Sequence, residues 1–514
     1  MNLSKKNIIT ILLVIILIGI FLRFYKLGEL SFSSDEFLDI NSTYAYFKTS
    51  VWQKWDFNYG QVDTENVFVP RDQRAWIYKW QVAQFFKYFP PTEFTARSVS
   101  ALWGIFSIIL IYFVATYFTK RKEIGLMAAF LFSISISGIE FDRTFRMYAM
   151  FFAVFLAFSW FLFRFLEEEN IGKNKLIKKV YALIDFNLIY FLPMMVLGII
   201  SLMVHQLTAN IIFIFGAYAI IQVLLAKKRL AVKKYIVGLL ILIVGIIGIF
   251  VFLPDTAKEF SAGLTFIENH WSYLRLSFTD YSNIIIGIGF LLLGIYFLNN
   301  KGLKKESLWL SVSFIGTLLM AIFIWKRNVG DQYIFFIKSF GIILIASGIY
   351  FTAKFFQNNL SGNKKIIFYV SIFLSLLILP NYNYFFDRNN AYHQTSDADT
   401  PNYRSIFSYF KKQKNDNDVL ITRNFRNYYW SGAKVKVYDF GVDITDEGKT
   451  VETKKLTLDQ FQKIVSDNPS GWFIAYENDE TFLQNGVMDW VMKNLNRVSN
   501  PQVRGKISVY HWGN

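Results

Sequence analysis

Residues 8–24 read IITILLVIILIGIFLRF (Ile8–Phe24), an unbroken apolar run whose single charge, Arg23, stands beside its end. A helix needs about 20 such residues to cross the ~30 Å hydrocarbon layer of a bilayer. Lys5 and Lys6 precede the run. Arg23, Phe24, Tyr25 and Lys26 follow it, where a removed signal peptide would carry small residues at a cleavage site. It therefore reads as a retained first membrane helix.

Runs of the same kind recur through the first three quarters of the 514 residues. They predict about eleven transmembrane helices: Ile8–Phe24, Ser98–Phe118, Ile124–Ile139, Arg146–Leu166, Leu183–Met203, Leu207–Leu225, Tyr235–Leu253, Tyr281–Leu298, Leu308–Trp325, Tyr333–Ala353 and Ile366–Pro380. Composition agrees. Hydrophobic residues make up 54% of the chain, 55 of them Phe, and charged residues only 18%, against about a quarter in soluble domains. Cysteine is absent, which excludes disulfides and thiolate metal sites.

The formal charge of +16 suggests a polyanion partner until its distribution is read. Lys5-Lys6, Lys120-Arg121-Lys122, Lys173 to Lys179, Lys227-Lys228-Arg229 with Lys233-Lys234, Lys301 to Lys305, and Lys354 with Lys364-Lys365 all fall on one side of the predicted spans. Positively charged short loops stay in the cytoplasm, so the excess is a topology signal rather than a nucleic-acid footprint. It predicts a multi-pass plasma-membrane protein with a cytoplasmic N-terminus and the tail outside. The expected division is a membrane module, 1–385, that includes an outer loop 25–96 with interfacial helices, and an extracytoplasmic α/β domain, 386–514.

Polar groups concentrate in the outward loops. The first opens with Ser33-Ser34-Asp35-Glu36 and continues with Trp52, Trp55, Trp76 and Trp80. Asp35 to Tyr46 and Gln73 to Phe89 read as helices lying along the interface. Ser33 and Glu36 have capping-box spacing, a role compatible with Asp35 or Glu36 acting as base or metal ligand. A second short loop crowds Glu140, Asp142, Arg143, Thr144 and Arg146. Arginines there run against the positive-inside trend, as do Arg97, Lys326 and Arg327; an anionic ligand at the outer surface supplies a reason. His205 suits either a phosphate contact or a turn cap. The spans carry almost no charge away from their ends, which counts against an ion-coupled transporter.

The tail alternates short apolar runs (Val419–Ile421, Val435–Phe440, Trp472–Ala475, Ile507–Tyr510) with helical stretches (Tyr403–Lys412, Leu458–Ser466, Thr481–Leu495), the pattern of a small α/β domain. It has no Gly-rich nucleotide fingerprint, so no nucleotide cofactor is expected, and no Ser-His-Asp or HExxH set.

In this order the motifs resemble those of the GT-C glycosyltransferases, which include protein O-mannosyltransferases and lipid A aminoarabinose transferases. The matching features are the Asp-Glu pair opening the first outer loop, Arg97-Ser98 leading into Ala101-Leu102-Trp103-Gly104, Arg146-Met147-Tyr148-Ala149, His205, and Gln332-Tyr333 before an apolar helix. Gln332 stands where the family's segment has Arg, with Arg327 nearby. The resemblance implies a lipid-linked sugar donor. Physical reasoning leads the same way, because nucleotide sugars are cytoplasmic and a polyprenyl-phosphate sugar presents its headgroup where the polar loops are.

The expected reaction is an inverting transfer from that donor to an acceptor hydroxyl on lipid, glycan or protein. Asp35 serves as general base with Glu36 assisting. Asp142 is the second carboxylate and Glu140 its reserve. Arg97, Arg146, His205, Arg327 and Tyr333 are expected on the donor phosphate. Asp35, Glu36 and Asp142 would take Mg²⁺ or Mn²⁺ if a metal takes part. The other readings are a lipid-linked sugar flippase and a polysaccharide polymerase or ligase.

Overall fold

The computed structural model describes residues 4–63, 73–170, 175–226, 232–252, 264, 269–326, 329–395, 397–398, 401–440, 442–444, 452–499 and 506–513. Arg327 and the cluster Lys227-Lys228-Arg229 lie outside them. The chain forms two compact units: Met1–Tyr25 with Ser98–Phe386, and Lys26–Arg97 with Asp387–Asn514.

A helix stands in each of the eleven apolar segments. Among the described residues, six helices are long and apolar enough to cross a membrane, or seven if a bent pair counts as one. Their apolar faces do not all pack on protein: Leu17, Val244 and Phe373 are each more than half exposed, as lipid-facing side chains are. The helices Ile284–Asn300 and Lys338–Asn359 approach until backbone meets backbone. A Cβ on Gly294 would lie 1.9 Å from the Leu344 carbonyl oxygen, and one on Gly348 would lie 1.9 Å from that of Phe290. Small residues allow such contact where no hydrophobic force acts between helices in lipid.

The segment expected as one span over Ile124–Ile139 is instead broken. Lys122–Ser133 and Ile136–Asp142 meet at a 60° bend. Ser133, Ser135 and Ser137 alternate there, and hydroxyls next to their own backbone compete with helical bonding. The Ser135 hydroxyl accepts from the Gly138 N–H and starts the second piece.

In the second unit the tail folds around a five-stranded sheet. Its order is Lys436–Asp439, Val419–Thr422, Gly471–Tyr476, Ile507–Trp512, Asn496–Arg497. The first three strands run parallel and the last two antiparallel to their neighbours. Val419–Thr422 is buried on both faces, as an interior parallel strand should be. Phe461, Val487 and Val491, from the helices Leu458–Asp467 and Val487–Asn494, pack with Ile421 and Phe473.

The expected division placed the first loop with the membrane helices, whereas 26–97 clusters with the tail. The seam is made of hydrogen bonds. Asn58 Nδ2 donates to the Val435 carbonyl while Val435 N donates to Asn58 Oδ1, at 2.7 and 3.1 Å. Phe32 N donates to the Tyr429 hydroxyl at 2.7 Å. The loop's helices are Ser34–Thr49 and Trp76–Phe85, joined through a short hairpin, Lys54–Asp56 with Gln61–Asp63.

Candidate functional site

The acidic pair of the first loop divides its labour. Ser33 caps the helix Ser34–Thr49, and its N–H donates to Glu36 Oε2 at 2.8 Å. Carboxylates gather here because a helix N-terminus leaves N–H groups unpaired. Arg97 then grips Glu36 from the side, Nε to Oε1 at 2.9 Å and Nη2 to Oε2 at 2.7 Å. Its other donors reach the carbonyls of Leu27, Leu30 and Ser31. A guanidinium has five N–H bonds, and these contacts use five. Glu36 is 1% exposed, while Asp35 on the same helical turn is exposed. The capping role expected of Glu36 is present, and Arg97 holds it there. The same unit carries another pair, Arg404 on Glu93 at 2.6 Å. The Tyr429 hydroxyl also donates to Glu93.

In the membrane unit Asp142 ends the second piece of the broken helix. It is fully buried and accepts from Arg23 Nε at 2.7 Å. Its Oδ1 has no hydrogen-bond partner among the described residues. Glu140, half a turn earlier, is exposed. The Tyr384 hydroxyl bonds to Glu140, and Asp331, Lys338 and Asp280 lie within electrostatic reach, so its surroundings are polar protein rather than bulk water alone.

Arg146 and His205 meet across one ring. The Arg146 guanidinium lies 5.8 Å from the Tyr148 ring centre, and the His205 ring lies 5.7 Å from it on another contact. Both residues are buried. His205 caps the turn Gln206–Ala209: its Nδ1 accepts from Leu207 N at 3.1 Å. An accepting Nδ1 puts the proton of the neutral imidazole on Nε2. The cap expected as the plainer reading is therefore present and leaves a defined tautomer. Tyr333 lies in the short helix Asp331–Ile334, part-buried.

The sequence reading missed Lys338. It is 3% exposed at the start of Lys338–Asn359, ion-paired with Asp331 Oδ1 at 3.0 Å and bonded to Ser137 and Thr279. Ser137 in turn donates from Oγ to Asp331 and from its N–H to Asp280. The signal was available: one lysine inside an apolar run is a functional candidate by default. Arg23 was passed over too, read only as one of the residues that stand where a cleavage site would be.

The metal set does not fit a divalent cation as placed. Glu36 gives both oxygens to Arg97, and Asp142 gives one to Arg23. Asp35 belongs to a different unit from Asp142. Among the described residues no group of three His, Asp or Glu is spaced to hold a metal.

Solved structures of membrane enzymes share this fold. ArnT from Cupriavidus metallidurans bound to undecaprenyl phosphate superposes with a TM-score of 0.56 at 9% identity, covering 99% of this chain and 98% of that one. The apo oligosaccharyltransferase of Archaeoglobus fulgidus gives 0.60 at 11%, covering 96% of this chain and 73% of that one. The same organism's AglB with an inhibitory peptide and a dolichol-phosphate gives 0.59 at 11%, with the same coverage. No protein-family model matches the sequence. No curated protein matches it either.

Proposed function

We propose that this chain is an integral membrane glycosyltransferase that moves a sugar from a polyprenyl-phosphate donor to an acceptor hydroxyl at the extracytoplasmic surface. The observation that carries the reading is the end-to-end match to ArnT, a structure solved with undecaprenyl phosphate, in which nearly all of both chains superpose. All eleven apolar segments cross the membrane, with the N-terminus in the cytoplasm and the tail outside, as the one-sided Lys and Arg clusters require.

Asp35 is the general base. It is the exposed member of the Asp35-Glu36 pair, and its neighbour Glu36 is held on Arg97. Arg146 and His205, gathered around Tyr148, bind the donor phosphate and stabilise the charge that grows on it as the glycosidic bond breaks. His205 donates from Nε2. Tyr333 borders the same group. The acceptor oxygen attacks the anomeric carbon as Asp35 takes its proton; the polyprenyl phosphate leaves, and the configuration inverts. No step is assigned to a metal, because Glu36 and Asp142 are committed to arginines.

The test is to incubate the purified, detergent-solubilised chain with a panel of radiolabelled polyprenyl-phosphate sugars and a membrane extract as acceptor, with and without Mn²⁺. Consumption of one donor by wild type and not by Asp35→Asn supports the reading. No consumption across the panel sinks it.

A further inference from the structure

The Ala101-Leu102-Trp103-Gly104 stretch and the arginines flanking Asp142 have so far no task. Arg23 is fully buried near the end of Lys5–Phe24. Beyond Asp142, it donates to the carbonyls of Ser133 at 3.0 Å and Phe132 at 3.2 Å. They lie at the break, where the Ser133 carbonyl loses its helical partner and the Phe132 carbonyl keeps only the tighter bond from Ser135 N at 3.2 Å. Arg143 reaches the opposite way, donating from Nη1 to the carbonyls of Arg23 at 3.0 Å and Tyr25 at 2.6 Å, where the first helix ends. Arg143 therefore caps the end of the first helix, and Arg23 the end of Lys122–Ser133, the first piece of the broken one.

The arrangement needs space that only glycine leaves. A Cβ on Gly104 would fall 2.2 Å from Asp142 Oδ2 and 2.7 Å from Arg23 Nε. One on Gly138 would fall 3.3 Å from Arg23 Nη2. The glycine of that stretch is there because the ion pair lies against its backbone.

We infer that Arg23, Asp142 and Arg143, with Gly104 as the gap they require, form a reciprocal clasp that positions the turn 140–146, so that Glu140 rather than Asp142 is the carboxylate this turn offers to substrate. Asp142 is a positioning residue. Arg23 holds its side chain at the bottom of the clasp, and a buried charge is kept there only by its partner. Glu140 has other company: the Tyr384 hydroxyl bonds to it, and Lys338 and Asp331 lie within electrostatic reach. Its assignment to substrate rests on the transferase reading; the clasp does not.

The absence of cysteine makes a clean test possible. Thr144→Cys places one thiol in the turn, and its rate of modification by a water-soluble maleimide reports how often the turn opens. In that background Gly104→Ala and Asp142→Asn are expected to raise the rate about tenfold and lower the thermal midpoint, whereas Glu140→Gln changes neither. Because it leaves no charge alone, Arg23→Gln/Asp142→Asn is expected to fall back toward the wild-type rate, below either single variant. In donor-consumption assays Glu140→Gln loses kcat at unchanged KM, and Asp142→Asn raises KM while keeping part of its turnover. The clasp is overturned if Gly104→Ala labels at the wild-type rate, or if Asp142→Asn abolishes turnover with labelling and midpoint unchanged. If wild type consumes no donor, the transferase reading and the Glu140 assignment fall together, and the labelling arm alone decides the clasp.

Discussion

Asp35-Glu36 in the first loop and Glu140-Phe141-Asp142 at the broken helix are two acidic motifs in different units, and each keeps one carboxylate buried on an arginine and the other exposed. The local structures are opposite. Glu36 lies at a helix start and is held partly by the N–H of its cap; Asp142 lies at a helix end, where the dipole disfavours it, and among the described residues is held by Arg23 alone. Among the described residues, Glu36 therefore accepts from three donors on its two oxygens, and Asp142 from one with an oxygen left over. The first motif is over-determined and the second depends on a single contact. Neighbouring acids in a sequence are not interchangeable candidates for chemistry, because burial on a partner removes one of them.

The largest effect should come from the exposed member of the first motif. Asp35→Asn is expected to lower turnover about 10²- to 10⁴-fold, the usual contribution of a general base. Its thermal midpoint should stay at the wild-type value, since the side chain is exposed. Full turnover in the variant would break the comparison at its first term.

Next comes the buried member. Arg97→Gln leaves the Glu36 carboxylate buried without its counter-charge, a loss of about 3–5 kcal/mol for such pairs. The pair's side chains are 7% and 1% exposed, so solvent screening offers little relief. Thermal unfolding of the purified chain should show a large fall that Arg97→Gln/Glu36→Gln partly recovers. Equal midpoints for the single and double variants would mean that the carbonyl contacts of Arg97, not its charge, hold the loop.

A control far from both motifs calibrates these losses. Gly348→Ala drives a methyl group into the Phe290 carbonyl, an overpacking worth about 1–3 kcal/mol. It should lower the midpoint and leave the labelling of Thr144→Cys unchanged. Faster labelling there would show that the turn 140–146 responds to any helix injury, and the clasp would lose its specificity.

These partnerships were not legible in the sequence, although much else was. Every apolar segment holds a helix, and the strands expected at 419–421 and 472–475 appear as Val419–Thr422 and Gly471–Tyr476, because hydropathy and period act locally. Pairings act at a distance. Arg23 and Asp142 are 119 positions apart and Glu36 and Arg97 are 61, and nothing local says which arginine takes which acid. The broken helix falls between the two cases. Alternating serines at 133, 135 and 137 marked a weak point, but nothing local says that Arg23, from the first helix, donates to the carbonyls of Phe132 and Ser133 at the break.

The smallest effect tests whether burial, rather than pairing itself, makes these ion pairs matter. Arg404 and Glu93 are as close as the other pairs, at 2.6 Å, but the Arg404 side chain is 40% exposed. Glu93 also keeps the Tyr429 hydroxyl when the arginine is gone. Water can solvate what Arg404→Ala uncovers, so its removal should lower stability by at most about 1 kcal/mol and leave donor consumption unchanged. Added salt should narrow the gap between this variant and wild type while leaving that between Arg97→Gln and wild type almost intact, because screening reaches exposed charges and not buried ones. If Arg404→Ala instead matched Arg97→Gln, distance would outrank burial, and the contrast between the held and the exposed carboxylates would no longer predict which acid performs the chemistry.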